Sequence, residues 1–272
     1  MRRSLLSLLA LAMPLAMFAA PTATAQEEDT RSADVTGPIL VELFTSQSCS
    51  SCPKAEALFS ELALRDDLVT IQWHVDYWNN LVHGRDGRWV DPYSSPDATQ
   101  RQRDYNYTLR GTGSVYTPQA VIAGMTETTG SRKGTVHAMI ERAPRPYAKI
   151  DVLNDATGMT VSVSAGGAVQ EMAAEVMLVD LISVASNEIL GGENRGLTAT
   201  SRNIAVSDDT LGAWTGSPET YRARKVEAGH SCAIIVQEKG TGRILAASYC
   251  PASDTQSSDA EPLAPEFTRA HP

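Results

Sequence analysis

Cys49-Ser50-Ser51-Cys52 is the stretch whose residue types and spacing most directly permit chemistry. With two residues between the sulfurs, Cys49 can attack a disulfide and Cys52 can resolve the mixed disulfide that forms. Pro53 follows at once, and Ala55, Leu58, Phe59 and Leu62 recur at helical spacing. The pair therefore sits where a helix begins. There, unpaired backbone N–H groups and the positive end of the helix dipole lower a thiol pKa. Zinc is a rival reading, but a structural site wants four ligands and no second Cys-x-x-Cys occurs. An inert disulfide is the other. A copper carrier would add His74 to Cys49 and Cys52, since thiolate with imidazole suits that metal.

The other cysteines are Cys232 and Cys250, on either side of Lys239-Gly240-Thr241-Gly242, a hairpin turn. Four cysteines allow three connectivities. Clustering favours 49–52 with 232–250. If Gly240 to Gly242 form a three-residue loop, Lys239 pairs with Arg243 and Cys232 falls opposite Cys250. Neither lies near a helix N-terminus, so that bridge reads as structural.

The elements that must position these residues follow from patterning. Ile39 to Phe44 is a short apolar run, as in a strand buried on both faces. Leu68 to Val75 predicts a second strand and Pro118 to Ala123 a third, with helices over 55–62, 97–110 and 132–142. This strand–helix alternation predicts a central sheet with helices on its faces. His74 and Asp76 alternate on one strand end and share a face. With Trp78 they could line a substrate cleft or anchor the aromatic-rich loop from 76 to 95. After Pro144-Arg145-Pro146 the rhythm changes to short alternating runs, as in Met159 to Val163 and Glu175 to Val179. That pattern predicts antiparallel strands of a sandwich-like β domain. Gly192-Glu193-Asn194-Arg195-Gly196 reads as a turn.

The chain has 272 residues and a formal charge of −9, with 42% hydrophobic side chains, enough for a sizeable core. Arg2-Arg3, the apolar run to Ala20 and Ala23-Thr24-Ala25 predict a signal peptide over 1–25, by the general or the twin-arginine route. Its removal leaves 21 Lys and Arg against 32 Asp and Glu, a charge of −11. No membrane span is expected after cleavage. The acidic balance argues against a nucleic-acid partner. A periplasmic or secreted location would permit disulfides. The expected organisation is a leader over 26–37, an α/β domain over 38–145, a β-rich domain over 146–250 and a disordered tail over 251–272.

Several longer stretches resemble one family. They are Glu42 to Pro53, His74-Val75-Asp76-Tyr77-Trp78, Tyr116-Thr117-Pro118-Gln119 and Gly192 to Gly196. Together they resemble the domain of unknown function 1223, an uncharacterised secreted thioredoxin-like family, from about Pro38 to Cys250. The resemblance implies an α/β thioredoxin-like fold in which a cis-proline, here Pro118, faces the cysteine pair. It implies that the backbone at Thr117 pairs with an extended substrate segment. It also implies a buried acid below the disulfide, placed at Glu42, moving protons to the resolving thiol. The expectation is an exported thiol–disulfide oxidoreductase acting on protein or small thiol and disulfide substrates, without a cofactor or metal. The alternative is a non-catalytic module, a copper carrier or a partner-binding adaptor.

Overall fold

The computed structural model describes residues 37–81, 89–167 and 171–252. The expected signal peptide, all but the last residue of the leader, and the tail beyond residue 252 lie outside the described residues. So does part of the loop from 76 to 95.

Chain order begins with β1 (Ile39–Thr45), α1 (Pro53–Leu62), β2 (Leu68–His74), α2 (Trp78–Leu81) and α3 (Pro96–Arg110). Next come β3 (Gln119–Ile122), β4 (Thr126–Thr129), α4 (Lys133–Arg142), β5 (Ala148–Asp155) and β6 (Gly158–Ala165). The chain continues with β7 (Ala174–Glu188), β8 (Thr198–Trp214), β9 (Glu219–Ala223), β10 (His230–Glu238) and β11 (Ile244–Tyr249). Local chemistry explains the helix ends. Pro53 and Pro96 occupy first turns, where a missing N–H costs little. Ser95 caps α3 by accepting from the Ala98 amide, and Gly111 closes it at φ +66°.

The strands assemble differently from expectation. β11-β10-β7-β8-β2-β1-β3-β4 form one mixed sheet of eight, and β5-β6-β9 form a second sheet of three. The expected α/β thioredoxin-like domain followed by a β-rich sandwich is thereby corrected. Among the described residues eleven strands accompany four helices, and strands from both regions share one sheet. The join lies between β2 and β8, at the single parallel pair Gln72↔Ile204. Side chains reinforce it. Tyr249 Oη accepts from the Thr70 amide at 2.8 Å and from Asn203 Nδ2 at 2.7 Å.

The core explains why the sheet is continuous. On one face, Leu40, Phe44, Ile71 and Trp73 pack in the same cluster as Val179, Leu181, Ala233 and Ile235, together with Tyr105 from α3. On the opposite face, α1 and α4 pack over β1 and β3 through Val41, Leu43, Phe59 and Ile140. The three-stranded sheet packs there over β7, β10 and β11, through Val161, Tyr221, Leu178 and Ile234. Because β7 and β10 bury both faces, neither half could lose the other without exposing core. No helix among the described residues is long and apolar enough to cross a membrane.

Candidate functional site

Cys49 and Cys52 are joined in a disulfide at the carboxyl end of β1. Their loop is tightly wound: the Cys52 amide donates to Cys49 O at 3.1 Å, and the Ala55 and Glu56 amides donate to Cys52 O. Cys52 is the N-cap of α1, so its sulfur sits at the positive end of that helix. Both cysteines are buried, while Ser50 and Ser51 between them are exposed. Ser51 Oγ lies 3.3 Å from Cys49 Sγ.

Beneath the loop lies a wholly buried polar cluster. Thr45 ends β1 beside His74, which ends β2. Thr45 Oγ1 donates to Glu56 Oε1 at 2.6 Å, one turn along α1 from Cys52. His74 Nδ1 lies 2.9 Å from Asp91 Oδ2, and that oxygen also accepts from the Gln47 amide at 2.8 Å. The other ring nitrogen, Nε2, is buried without a protein hydrogen-bond partner. Burial opposes charge on His74, but Asp91 and then Glu56 outweigh it and hold its pKa above the ordinary value. Burial also opposes the charge of Asp91, yet His74 and the amides of Gln47 and Tyr93 hold its carboxyl below the usual range. In Glu56 burial wins over the pull of His74 and Thr45, and the carboxyl is pushed up. The cluster can therefore hold and release a proton beside the disulfide.

A third layer covers the loop from above. The segment joining β7 to β8 carries Gly192 to Gly196, the stretch that reads as a turn in the sequence. Asn194 Nδ2 donates to Gln47 O at 2.9 Å and to Cys49 O at 2.7 Å. Glu193 N donates to Ser48 O at 3.1 Å, and Glu193 Oε2 accepts from the Ser50 amide at 2.9 Å. Gln47 and Asn187 exchange side-chain hydrogen bonds at 2.9 and 3.0 Å. Gly192, at φ +74°, lies so close that a Cβ there would meet Ser48 Cα at 2.8 Å. Only glycine permits that approach.

The expected site residues separate into two groups. Pro118 lies at the disulfide end of the sheet: Phe44 pairs with Gln119, and the Thr117–Pro118 peptide is cis. Gly130 bridges it to α1, since a Cβ there would lie 3.3 Å from Ala55 Cβ and 3.5 Å from Pro118 Cβ. Thr117 Oγ1 accepts from Trp78 Nε1 at 2.7 Å, so these two hold one another. Asp76 turns to α3, accepting from Thr99 Oγ1 at 2.6 Å. That bond and the His74–Asp91 contact anchor the two ends of the long loop. Glu42 is not brought to the disulfide. It faces the side of the sheet opposite α1, where it accepts from Trp73 Nε1 at 2.9 Å, Arg101 Nε at 2.7 Å and Tyr105 Oη at 2.5 Å. There it pairs with the half-buried Arg101. Among the described residues no group of three or more His, Cys, Asp or Glu side chains is placed to hold a metal ion, with Cys49 and Cys52 joined to one another. Cys232 and Cys250 form the second disulfide, with Cys250 N donating to Cys232 O at 2.8 Å. A bulge between Val236 and Gln237 shifts the turn end, where Glu238 rather than Lys239 meets Arg243.

Sequence reasoning missed Glu56, Asp91, Gln47, Glu193 and Asn194. Glu56 carried a signal, because four residues after Cys52 it returns to the same helix face. Asp91 depends on His74, 17 residues away, and Gln47, Glu193 and Asn194 on contacts 44 to 147 residues away in the chain.

The family described as protein of unknown function (DUF1223) matches residues 40–237. The chain belongs to the DUF1223 family. Protein AGR_C_4864 from Agrobacterium tumefaciens has a similar crystal structure, with TM-score 0.66 and 24% identity, covering 83% of this chain and 99% of that one. HBP35 of Porphyromonas gingivalis is more distant, with TM-score 0.52 and 12% identity over 83% of this chain and 80% of that one. At these identities the likeness speaks for the fold of this DUF1223 protein alone. No curated protein matches the chain.

Proposed function

We propose that the protein is an exported thiol–disulfide oxidoreductase acting through Cys49 and Cys52. The observation that carries this reading is a Cys-x-x-Cys disulfide at a helix N-terminus, set over the buried Glu56–His74–Asp91 cluster. A disulfide that only braces the chain has no use for costly buried titratable groups beneath it. In the reaction, a substrate thiolate attacks Cys49 Sγ, the Cys49–Cys52 bond breaks, and Cys52 leaves as a thiolate that takes a proton from the cluster. A second substrate thiolate then attacks the substrate sulfur of the mixed disulfide and releases Cys49. Two electrons pass to the protein, and the substrate leaves as its disulfide. The reverse sequence oxidises the protein. Export is supported by the basic and apolar pattern of residues 1–25 and by two disulfides that need an oxidising compartment.

One observation favours a second reading. Burial of both cysteines suits a structural disulfide in a partner-binding adaptor. Exchange with a model protein disulfide separates the two. An oxidoreductase turns it over and loses turnover in Cys49→Ser, whereas an adaptor shows no turnover above free thiol.

A further inference from the structure

We propose that the tip of the β7–β8 hairpin sets the redox poise of the Cys49–Cys52 couple, with Glu193 biasing it toward the disulfide and Asn194 positioning the loop. The inference rests on the reading of that pair as redox-active, and it concerns regulation of the same site.

Reduction of the couple consumes two electrons and two protons, taken from a dithiol reductant that leaves as its disulfide. The dithiol form gains stability when Cys49 becomes a thiolate. That charge is normally solvated by the amides of its own loop and by the end of the helix. The amide next in sequence to Cys49 is that of Ser50, and it is already donated to Glu193 Oε2 at 2.9 Å. The same bond holds the Glu193 carboxyl below the usual range, so it carries its charge at neutral pH. A negative charge therefore stands one residue from the sulfur on which a second would develop, and it occupies one of the available donors. Both effects disfavour the thiolate and favour the disulfide. The bias is moderate, because Glu193 is exposed and its field is screened.

Other charged groups lie on the elements packed around the pair. Glu56 and Lys54 lie on α1, His74 ends β2, Asp91 comes from the following loop, and Arg195 follows on the tip itself. Among the described residues, Glu193 is the one whose carboxylate bonds an amide between the two cysteines. Asn194 fixes the distance. Its two donors grip the carbonyls on either side of Ser48, and Gly192 allows the tip to close to contact.

The test is the reduced fraction of the full chain in glutathione buffers at pH 7, read by thiol trapping, with the pH midpoint of Cys49 alkylation as a second readout. In Glu193→Gln the equilibrium should move about tenfold toward the dithiol, equal to about 30 mV, and the alkylation midpoint should fall. Asn194→Ala should shift it the same way by releasing the tip. Glu193 is exposed, so its variant folds and decides the matter even if Asn194→Ala does not fold. An equilibrium within twofold of wild type, or one moved toward the disulfide, overturns the inference. A wild-type chain that equilibrates with glutathione but turns over no protein disulfide removes the proposed function, while the Glu193→Gln comparison still decides this one.

Discussion

His74 Nδ1 and Asp91 Oδ2 stand 2.9 Å apart with neither side chain exposed. The pair ties the end of β2 to the loop behind the disulfide, and it makes stability depend on pH. A raised folded-state pKa for His74 gives stability that is complete below its unfolded value, about 6.5, and lost as pH rises through the folded value. A depressed pKa for Asp91 gives stability present above its unfolded value, about 4, and lost as pH falls through the folded one. Glu56, pushed up, adds a loss that begins as pH rises above its own unfolded value, about 4.5. Wild type should therefore show a Tm that falls with rising pH, with the His74 part of the fall setting in from about pH 6.5. Asp91→Asn leaves burial to depress His74, so the slope through neutral pH should flatten or reverse, at an overall cost of about 3–5 kcal/mol. Parallel Tm curves for the two proteins would show that His74 is not charged in the folded chain.

Glu42 and Glu56 divide roles that the sequence could not separate. Glu56→Gln should slow disulfide exchange around neutral pH and shift its pH–rate profile, with little loss of fold. Glu42→Gln removes the counter-ion of Arg101, whose side chain is only 12% exposed. It should cost about 3 kcal/mol of stability while leaving exchange per folded molecule unchanged. Urea unfolding with stopped-flow exchange on both variants measures this. A normal rate in Glu56→Gln would take that carboxyl out of proton transfer.

The difference between the two acids shows how far the sequence was legible. The apolar run of β1, the β-branched and aromatic residues of β2, the helical spacing in α1 and the polar stretch of α3 reveal these elements almost to their ends, because each is a local pattern. The apolar run of β1 places Glu42 in a strand buried on both faces, but nothing local says which face meets α1. The single β2–β8 pair at Gln72↔Ile204 leaves no mark in either strand, so the sequence does not show that strands of both regions share one mixed sheet. Asn194 reads as a turn residue because its donors go to carbonyls 145 and 147 residues away. Spacing reports local burial, while the assembly and the cover over the disulfide depend on long-range contacts.

The cysteines should differ in role. Cys49 begins the loop and Cys52 caps the helix beneath it, so attack falls on Cys49 and resolution on Cys52. Cys52→Ser should accumulate mixed disulfides with client proteins, visible as thiol-sensitive bands, and Cys49→Ser should not. Since both sulfurs are buried, trapping should be faster when Asn194→Ala is combined with Cys52→Ser. Equal trapping by Cys49→Ser and Cys52→Ser would reject the assignment.

The second disulfide is predicted to act on stability alone. Cys232 lies in the cluster under the three-stranded sheet, 3.7 Å from Met159 Sδ, and Cys250 follows the last residue of β11. Among the described residues no helix begins near either sulfur, and the ladder bond from Cys250 N to Cys232 O already holds the two strands in register. The bridge closes a loop with a sequence separation of 18, worth about 3 kcal/mol if its effect is to restrict the unfolded chain. The double variant Cys232→Ala/Cys250→Ala should therefore melt several degrees lower and keep its exchange activity at temperatures where it is folded. Calorimetry and exchange kinetics on one preparation test both halves. A variant that stays folded but loses exchange, or a Cys49–Cys232 or Cys49–Cys250 species trapped during turnover, would make the second pair a relay for the first.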